Sequence, residues 1–175
     1  MIIKKNKIKD SFLITLSQFD DQRGSFVRLF DKKFFKNLGI PSDIAQTNFS
    51  STKKKGSIRG FHYQKYPFEE MKAVICLKGK IHDVVLDLRK KSKTFKKWQG
   101  FDLDCKKKQV LIIPKGCGHA FQSLTDNVEV MYFCSQYYNP AKEAGIRWND
   151  PAFQVKWPKN LSDISDKDKS WASYK

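Results

Sequence analysis

The sequence predicts an all-β protein, a sandwich or barrel of short strands with a few short helices. Apolar residues alternate with period two over several segments, and turn residues separate those segments at short intervals. Helical spacing is confined to brief stretches.

Taken in order, residues 31–39 (DKKFFKNLG) predict a short helix, with Phe34, Phe35 and Leu38 on one face and Gly39 as the stop. Residues 81–88 alternate as a strand, with Val84, Leu86 and Leu88 on one side and Asp83, Val85 and Asp87 on the other. In residues 99–104, Phe101 and Leu103 oppose Asp102 and Asp104. Residues 110–113 form a continuous apolar run that stops at the turn signal Pro114-Lys115-Gly116. Residues 128–138 read as a long strand in which Val128, Val130, Tyr132 and Cys134 share a face. From about residue 161 the chain reads as a short polar helix or turn. There Ser165-Asp166-Lys167-Asp168 forms a capping box, with Ser165 as N-cap.

Composition sets bounds. With 175 residues, no repeat and no low-complexity linker, a single domain spanning 1–175 is the simplest organisation. A 40% apolar and 14% aromatic content supplies a core and excludes a disordered chain. No apolar run approaches the ~20 residues of a membrane helix, and Met1–Lys5 lacks the apolar stretch of a secretory signal. Cys76, Cys105, Cys117 and Cys134 form no CxxC pair and read as reduced thiols, so a cytoplasmic location is expected.

The net charge of +16 reads first as a solvated lysine surface, and also as an attraction for an anionic ligand. The lysines are scattered in twos and threes (Lys53–Lys55, Lys106–Lys108) without a nucleic-acid motif, so neither nucleic acid nor membrane is an expected partner. Polar groups occupy positions where a closed barrel would be apolar. By simple alternation, His62 and Gln64 share the side of Ile58 and Gly60, and Tyr132 lies among valines. This predicts a lined pocket rather than a dry core.

Five segments appear in fixed order: DQRGSF (21–26), RGFHYQ (59–64), DVVLDLR (83–89), IPKGCGHAF (113–121) and WNDP (148–151). Together they resemble the dTDP-4-dehydrorhamnose 3,5-epimerase family over roughly residues 18–170. The resemblance implies a double-stranded β-helix (cupin) barrel, usually a homodimer, with neither metal nor cofactor. It implies an isomerase acting on a nucleoside-diphospho-4-keto-6-deoxy sugar in the biosynthesis of surface polysaccharides such as lipopolysaccharide or capsule.

It also implies roles. His62, whose ring titrates near neutrality, would be the general base that removes a hydrogen beside the ketone. Tyr132, five residues before Tyr137 of the Tyr-Tyr-x-Pro turn, would be the proton donor, neutral at pH 7. Asp168 would pair with His62 as the third group of a triad does. Lys72 and Arg59 would stabilise the enolate or clamp phosphate, and His119 would contact the ligand. Strand parity further places Asp83 where it can orient one of the histidines. Arg23, Gln46, Asn48, Glu143 and Lys167 match nucleotide-binding positions, and Tyr138 matches the tyrosine that stacks on the base.

The chain departs from the thymidine-specific pattern at Arg28 (commonly glutamate), Thr47 (aspartate) and Met71 (glycine). Arg28, a donor in place of an acceptor, predicts altered base preference, with GDP-linked hexoses or heptoses beside dTDP sugars. Two other readings compete. His62, Gln64, Glu69 or Glu70 and His119 loosely echo the ligand spacing of a metal-dependent cupin, although a glutamine amide is a poor metal ligand. A non-catalytic sugar-nucleotide-binding cupin is the second, but binding alone needs neither a base nor an opposed acid.

Overall fold

A computed structural model describes residues 1–174. Thirteen strands are placed: β1 (Ile2–Lys5), β2 (Phe12–Thr15), β3 (Gln18–Asp21), β4 (Gly24–Val27), β5 (Gln46–Thr52), β6 (Ile58–Gln64), β7 (Lys72–Lys78), β8 (Lys80–Asp87), β9 (Trp98–Asp104), β10 (Gln109–Ile113), β11 (Cys117–Ser123), β12 (Val128–Cys134) and β13 (Glu143–Gly145). The helices are α1 (Lys32–Asn37) and α2 (Asp166–Ser170). One sheet runs β1-β2-β10-β7-β12-β5 and the other β13-β6-β11-β8-β9, while β3 and β4 pair only with each other. The expected all-β cupin-type barrel is the observed architecture.

The two sheets face each other across one apolar layer. Val74, Cys76, Val128 and Val130 from the first sheet meet Ile81, Val85, Phe101, Leu103 and Phe121 from the second. Each such aliphatic side chain stabilises the fold by roughly 1.5–3 kcal/mol relative to exposure. The outer faces are covered too. Phe35 of α1 and Ile40 pack on Ala73, Ile75, Val110 and Ile112. Ile146 and Phe153 pack on Phe61, Val84 and Leu86. This explains the unbroken apolar run 110–113: β10 is buried on both faces.

Both helices form where their caps allow. The Asp31 carboxylate accepts from the Phe34 N–H, and Gly39 at φ +69° closes α1. The Ser165 hydroxyl accepts from the Asp168 N–H at 3.1 Å, which forms the N-cap half of the expected capping box, while the Asp168 carboxylate turns to His62 and Gly60 rather than back to the Ser165 N–H. None of the described helices is long and apolar enough to cross a membrane.

Two expectations need correction. The long strand 128–138 ends at Cys134, because side chains replace the ladder beyond it. The Tyr138 N–H donates to Gln46 Oε1 and the Asn139 N–H to Gln64 Oε1, turning the chain outward. Simple alternation also fails in β6. Arg59 pairs with Phe121 and His62 with His119, so two residues on one strand, Gly60 and Phe61, oppose one on the other, Ala120. This bulge places His62 on the side of Arg59 rather than that of Gly60.

Candidate active site

A cleft opens between β5, the edge of the first sheet, and β6 and β13, the edge of the second. It comprises a cavity of about 540 Å³ and an adjoining one of about 280 Å³. His62, Lys72 and Tyr132 line both.

His62 owes its position to the bulge, which requires Gly60. At φ +112°, a Cβ on residue 60 would stand 2.5 Å from the His119 carbonyl oxygen and 2.7 Å from Ala120 Cα. Only glycine fits so close to β11. His62 Nε2 lies 2.6 Å from Asp168 Oδ1, and Asp168 Oδ2 accepts the Gly60 N–H at 3.1 Å. Asp168 is buried. Burial alone would raise its pKa, but the hydrogen bond from His62, that imidazole's charge and the Gly60 N–H together hold it below the usual value. A carboxylate that accepts from Nε2 leaves Nδ1 as the ring's free base.

Tyr132 rises from β12 on the opposite wall. Burial pushes its phenol pKa up against the opposing pull of Lys72, so the hydroxyl stays protonated at neutral pH. Lys72, at the start of β7, is buried, with Nζ 3.2 Å from Glu70 Oε1. His119 Nε2 is 2.9 Å from Oδ2 of the buried Asp83, so the parity expectation for Asp83 resolves onto His119. Arg59 reaches across the cleft from β6 to β5, donating to Thr52 Oγ1 at 3.0 Å and to the Ser51 carbonyl at 2.8 Å.

Gln46, Asn48, Tyr138 and Glu143 line the smaller cavity, and Lys167 the larger. They form a chain of contacts. Gln46 accepts from the Tyr138 N–H at 2.6 Å, the Tyr138 hydroxyl donates to Glu143 at 2.7 Å, and Lys167 Nζ donates to the same carboxylate at 2.6 Å. Burial would raise the Glu143 pKa, but hydrogen bonds from Lys167 and Tyr138 hold it below the usual range. Thus eleven of the thirteen predicted site residues gather in one cleft.

Arg23 and Arg28 do not join them in this chain. Arg23, on the β3–β4 hairpin, pairs with Asp21 at 2.6 Å. Arg28 pairs with Asp31 at 3.5 Å beside the N-terminus of α1. Within its own chain Arg28 therefore reads no base. The metal-dependent reading also weakens. Gln64 is spent on backbone, donating to the Phe68 and Tyr137 carbonyls. Among the described residues, no group of three or more His, Cys, Asp or Glu could hold a metal ion.

Sequence reasoning gave Glu70 no place in the active site beyond that ligand echo, yet it lines the smaller cavity beside Lys72. The alternation of Glu70 and Lys72 about the buried Met71 was the available signal.

A family model described as dTDP-4-dehydrorhamnose 3,5-epimerase matches residues 5–175. The chain belongs to this family. The dTDP-4-dehydrorhamnose 3,5-epimerase of Shigella flexneri is 37% identical over 169 residues, covering 96% of this chain and 93% of that protein. The one from Methanothermobacter thermautotrophicus is 34% identical, with coverage of 95% and 91%. Among solved structures, the dTDP-4-dehydrorhamnose 3,5-epimerase of Bacillus anthracis with TDP and pyrophosphate bound superposes with a TM-score of 0.95 at 35% identity, covering 99% of each chain. The Legionella pneumophila epimerase in complex with dTDP-4-keto-L-rhamnose gives 0.91 at 34% identity, covering 97% of this chain and 90% of that one. As a member of the dTDP-4-dehydrorhamnose 3,5-epimerase family, the protein is an isomerase.

Proposed function

We propose that the protein epimerises carbon 3, carbon 5 or both of a dTDP-linked 4-keto-6-deoxy sugar without a cofactor. The observation that carries this is an opposed pair. An imidazole oriented by a buried carboxylate stands on one wall, and a protonated phenol on the other. The carbon-4 ketone acidifies the hydrogens on its neighbouring carbons. His62 Nδ1 removes one of these as a proton, and the electron pair moves into the carbonyl to give an enolate. Lys72 stabilises the enolate oxygen, and Asp168 stabilises the imidazolium that His62 becomes. Tyr132 then delivers a proton to the opposite face of the same carbon, which inverts it. Arg59 and His119 hold the sugar and phosphate. Gln46, Asn48, Glu143 and Lys167 bind the nucleotide, with Tyr138 under the base. Incubation with dTDP-4-keto-6-deoxyglucose in deuterated water tests the reading. Deuterium at carbon 3 or 5 with inversion supports it, and absence of exchange refutes it.

Arg23 and Arg28 fit this reading in a homodimer. The β3–β4 hairpin pairs with neither sheet of its own chain and exposes Phe19 (66%) and Phe26 (59%). Phe49 on the edge strand β5 is 60% exposed. Such bare aromatic rings favour burial against a second copy, which would carry Arg23 and the nearby Arg28 toward the partner's cleft. Size-exclusion chromatography with light scattering checks this, and a monomer would refute it. The same reading places the enzyme in the cytoplasm, supplying deoxysugars for surface polysaccharide.

A further inference from the structure

The cation expected to meet the ketone is accompanied by a carboxylate. Met71 is buried in the outer core beneath α1, and alternation about it turns Glu70 and Lys72 together into the cleft. Both side chains are only 11% exposed, and Glu70 Oε1 lies 3.2 Å from Lys72 Nζ. The Cys134 thiol, which accepts from the Asn48 amide at 3.7 Å, also neighbours Glu70. Thiols are weak donors, and a carboxylate offers about four acceptor sites. Most of the acceptor capacity of Glu70 therefore faces the smaller cavity, which it helps to line.

A carboxylate at that place is costly in two ways. Burying an ion pair costs desolvation that apolar residues of the same size would avoid. A negative charge beside Lys72 also opposes the enolate that Lys72 serves. Both costs are offset if the bound substrate brings a donor to Glu70. In a 4-keto-6-deoxy sugar one neighbour of the ketone, carbon 5, carries the methyl group and the ring oxygen. The other, carbon 3, carries a hydroxyl. Ketone oxygen and hydroxyl thus stand side by side as an α-hydroxy ketone, at a spacing that an ammonium and a carboxylate 3.2 Å apart can address together.

We propose, resting on the epimerase reading above, that Glu70 is a specificity-determining residue. It accepts a hydrogen bond from the carbon-3 hydroxyl while Lys72 holds the ketone oxygen. The pair reads the α-hydroxy ketone as one unit, and the hydroxyl proton screens the developing enolate from the carboxylate. A substrate without that hydroxyl leaves Glu70 desolvated and unmatched, which is the situation in which a polar site discriminates most strongly.

The test compares kcat/KM for the 3-hydroxyl substrate and its 3-deoxy analogue in wild type, Glu70→Ala and Glu70→Gln, reading solvent deuterium exchange beside the ketone. Any intrinsic difference in carbon acidity is common to all three enzymes and cancels in the ratio of ratios. Wild type is expected to prefer the hydroxylated substrate by about ten- to a hundredfold, the range of a hydrogen bond to a charged group. In Glu70→Ala the preference is expected to shrink to about twofold, the scatter of independent changes. Glu70→Gln, which keeps a neutral acceptor, should fall between. If Glu70 merely holds Lys72 in place, both substrates lose rate equally and the preference is unchanged, which overturns the proposal. Should Glu70→Ala fail to fold, an undiminished preference in Glu70→Gln overturns it equally. Wild type turning over both substrates alike removes the Glu70 role alone. Wild type acting on neither removes the epimerase reading with it.

Discussion

His62 Nε2 lies 2.6 Å from Asp168 Oδ1, across 106 positions of sequence. The pair is expected to act as a unit, its two members failing together. His62→Ala should remain folded and lose about 10²- to 10⁴-fold in kcat, the usual range for a general base. Asp168→Asn should fall in the same range, because the amide no longer fixes the ring tautomer. The double variant should be scarcely worse than His62→Ala, since the second change removes support from a group already absent. Steady-state kinetics with circular dichroism of each variant checks this. Fully additive losses would show that the two residues act separately.

Tyr132→Phe is expected to separate exchange from inversion. His62 remains in place, so solvent deuterium should still enter the substrate. Delivery of a proton to the opposite face should slow, so inverted product should fall by more than exchange does. Following both by NMR in one reaction decides the matter. Equal loss of the two would assign proton delivery elsewhere. Because burial raises the phenol pKa, the wild-type donor should also persist above the ordinary tyrosine range near pH 10.

Gly60→Ala probes the bulge. The added methyl would meet the backbone of β11 within 2.7 Å, at a φ that L side chains rarely adopt. Strain of this kind costs about 1–3 kcal/mol. Because His62 and His119 flank the contact, activity should drop by more than the loss of folded protein explains. Chemical denaturation and kcat on the same samples give both quantities.

Away from the cleft, Asp87 is expected to contribute to acid stability. Burial would raise its pKa, but hydrogen bonds from Arg89, Ser92 and Thr94 more than offset this and bring it down to about 2. A folded-state pKa below the unfolded value means stability that is fully present above about pH 4 and is lost as the pH falls toward about 2. The difference corresponds to about 2 kcal/mol. Asp87→Asn should be less stable by about that amount at neutral pH. Its stability should also be flatter between pH 4 and pH 2, as measured by urea denaturation across that window.

What could be read from sequence was local. The strands 81–88 and 99–104 announce themselves because a two-residue period needs no knowledge of neighbours. The N-cap at Ser165 is legible because cap chemistry lies within four residues. Asp83 could be assigned to a histidine by parity, but which one depends on β8 lying beside β11. Parity failed at His62 because a bulge is a property of two paired strands, and only Gly60 hints at it. The strand through 138 was overextended because the groups that stop it, Gln46 and Gln64, come from distant segments. Glu70 stayed outside the predicted active site because its meaning depends on Met71 being buried under α1. Arg23 matched a binding position and Arg28 departed from one, yet within one chain Arg23 stands on the β3–β4 hairpin and Arg28 beside α1, both away from the cleft.

The carboxylate that orients His62 lies on α2, beyond the last described strand of either sheet, which ends at Gly145. During synthesis the described strands of both sheets have left the ribosome before residue 168 has. Until then the imidazole on β6 lacks its partner, and the phenol on β12 faces a base of undefined tautomer. A chain that stops short of residue 168 therefore holds every described strand of both sheets and lacks the carboxylate that meets the His62 ring. On the proposed mechanism, competence would arrive with one late turn of helix, as a final inspection rather than a first step.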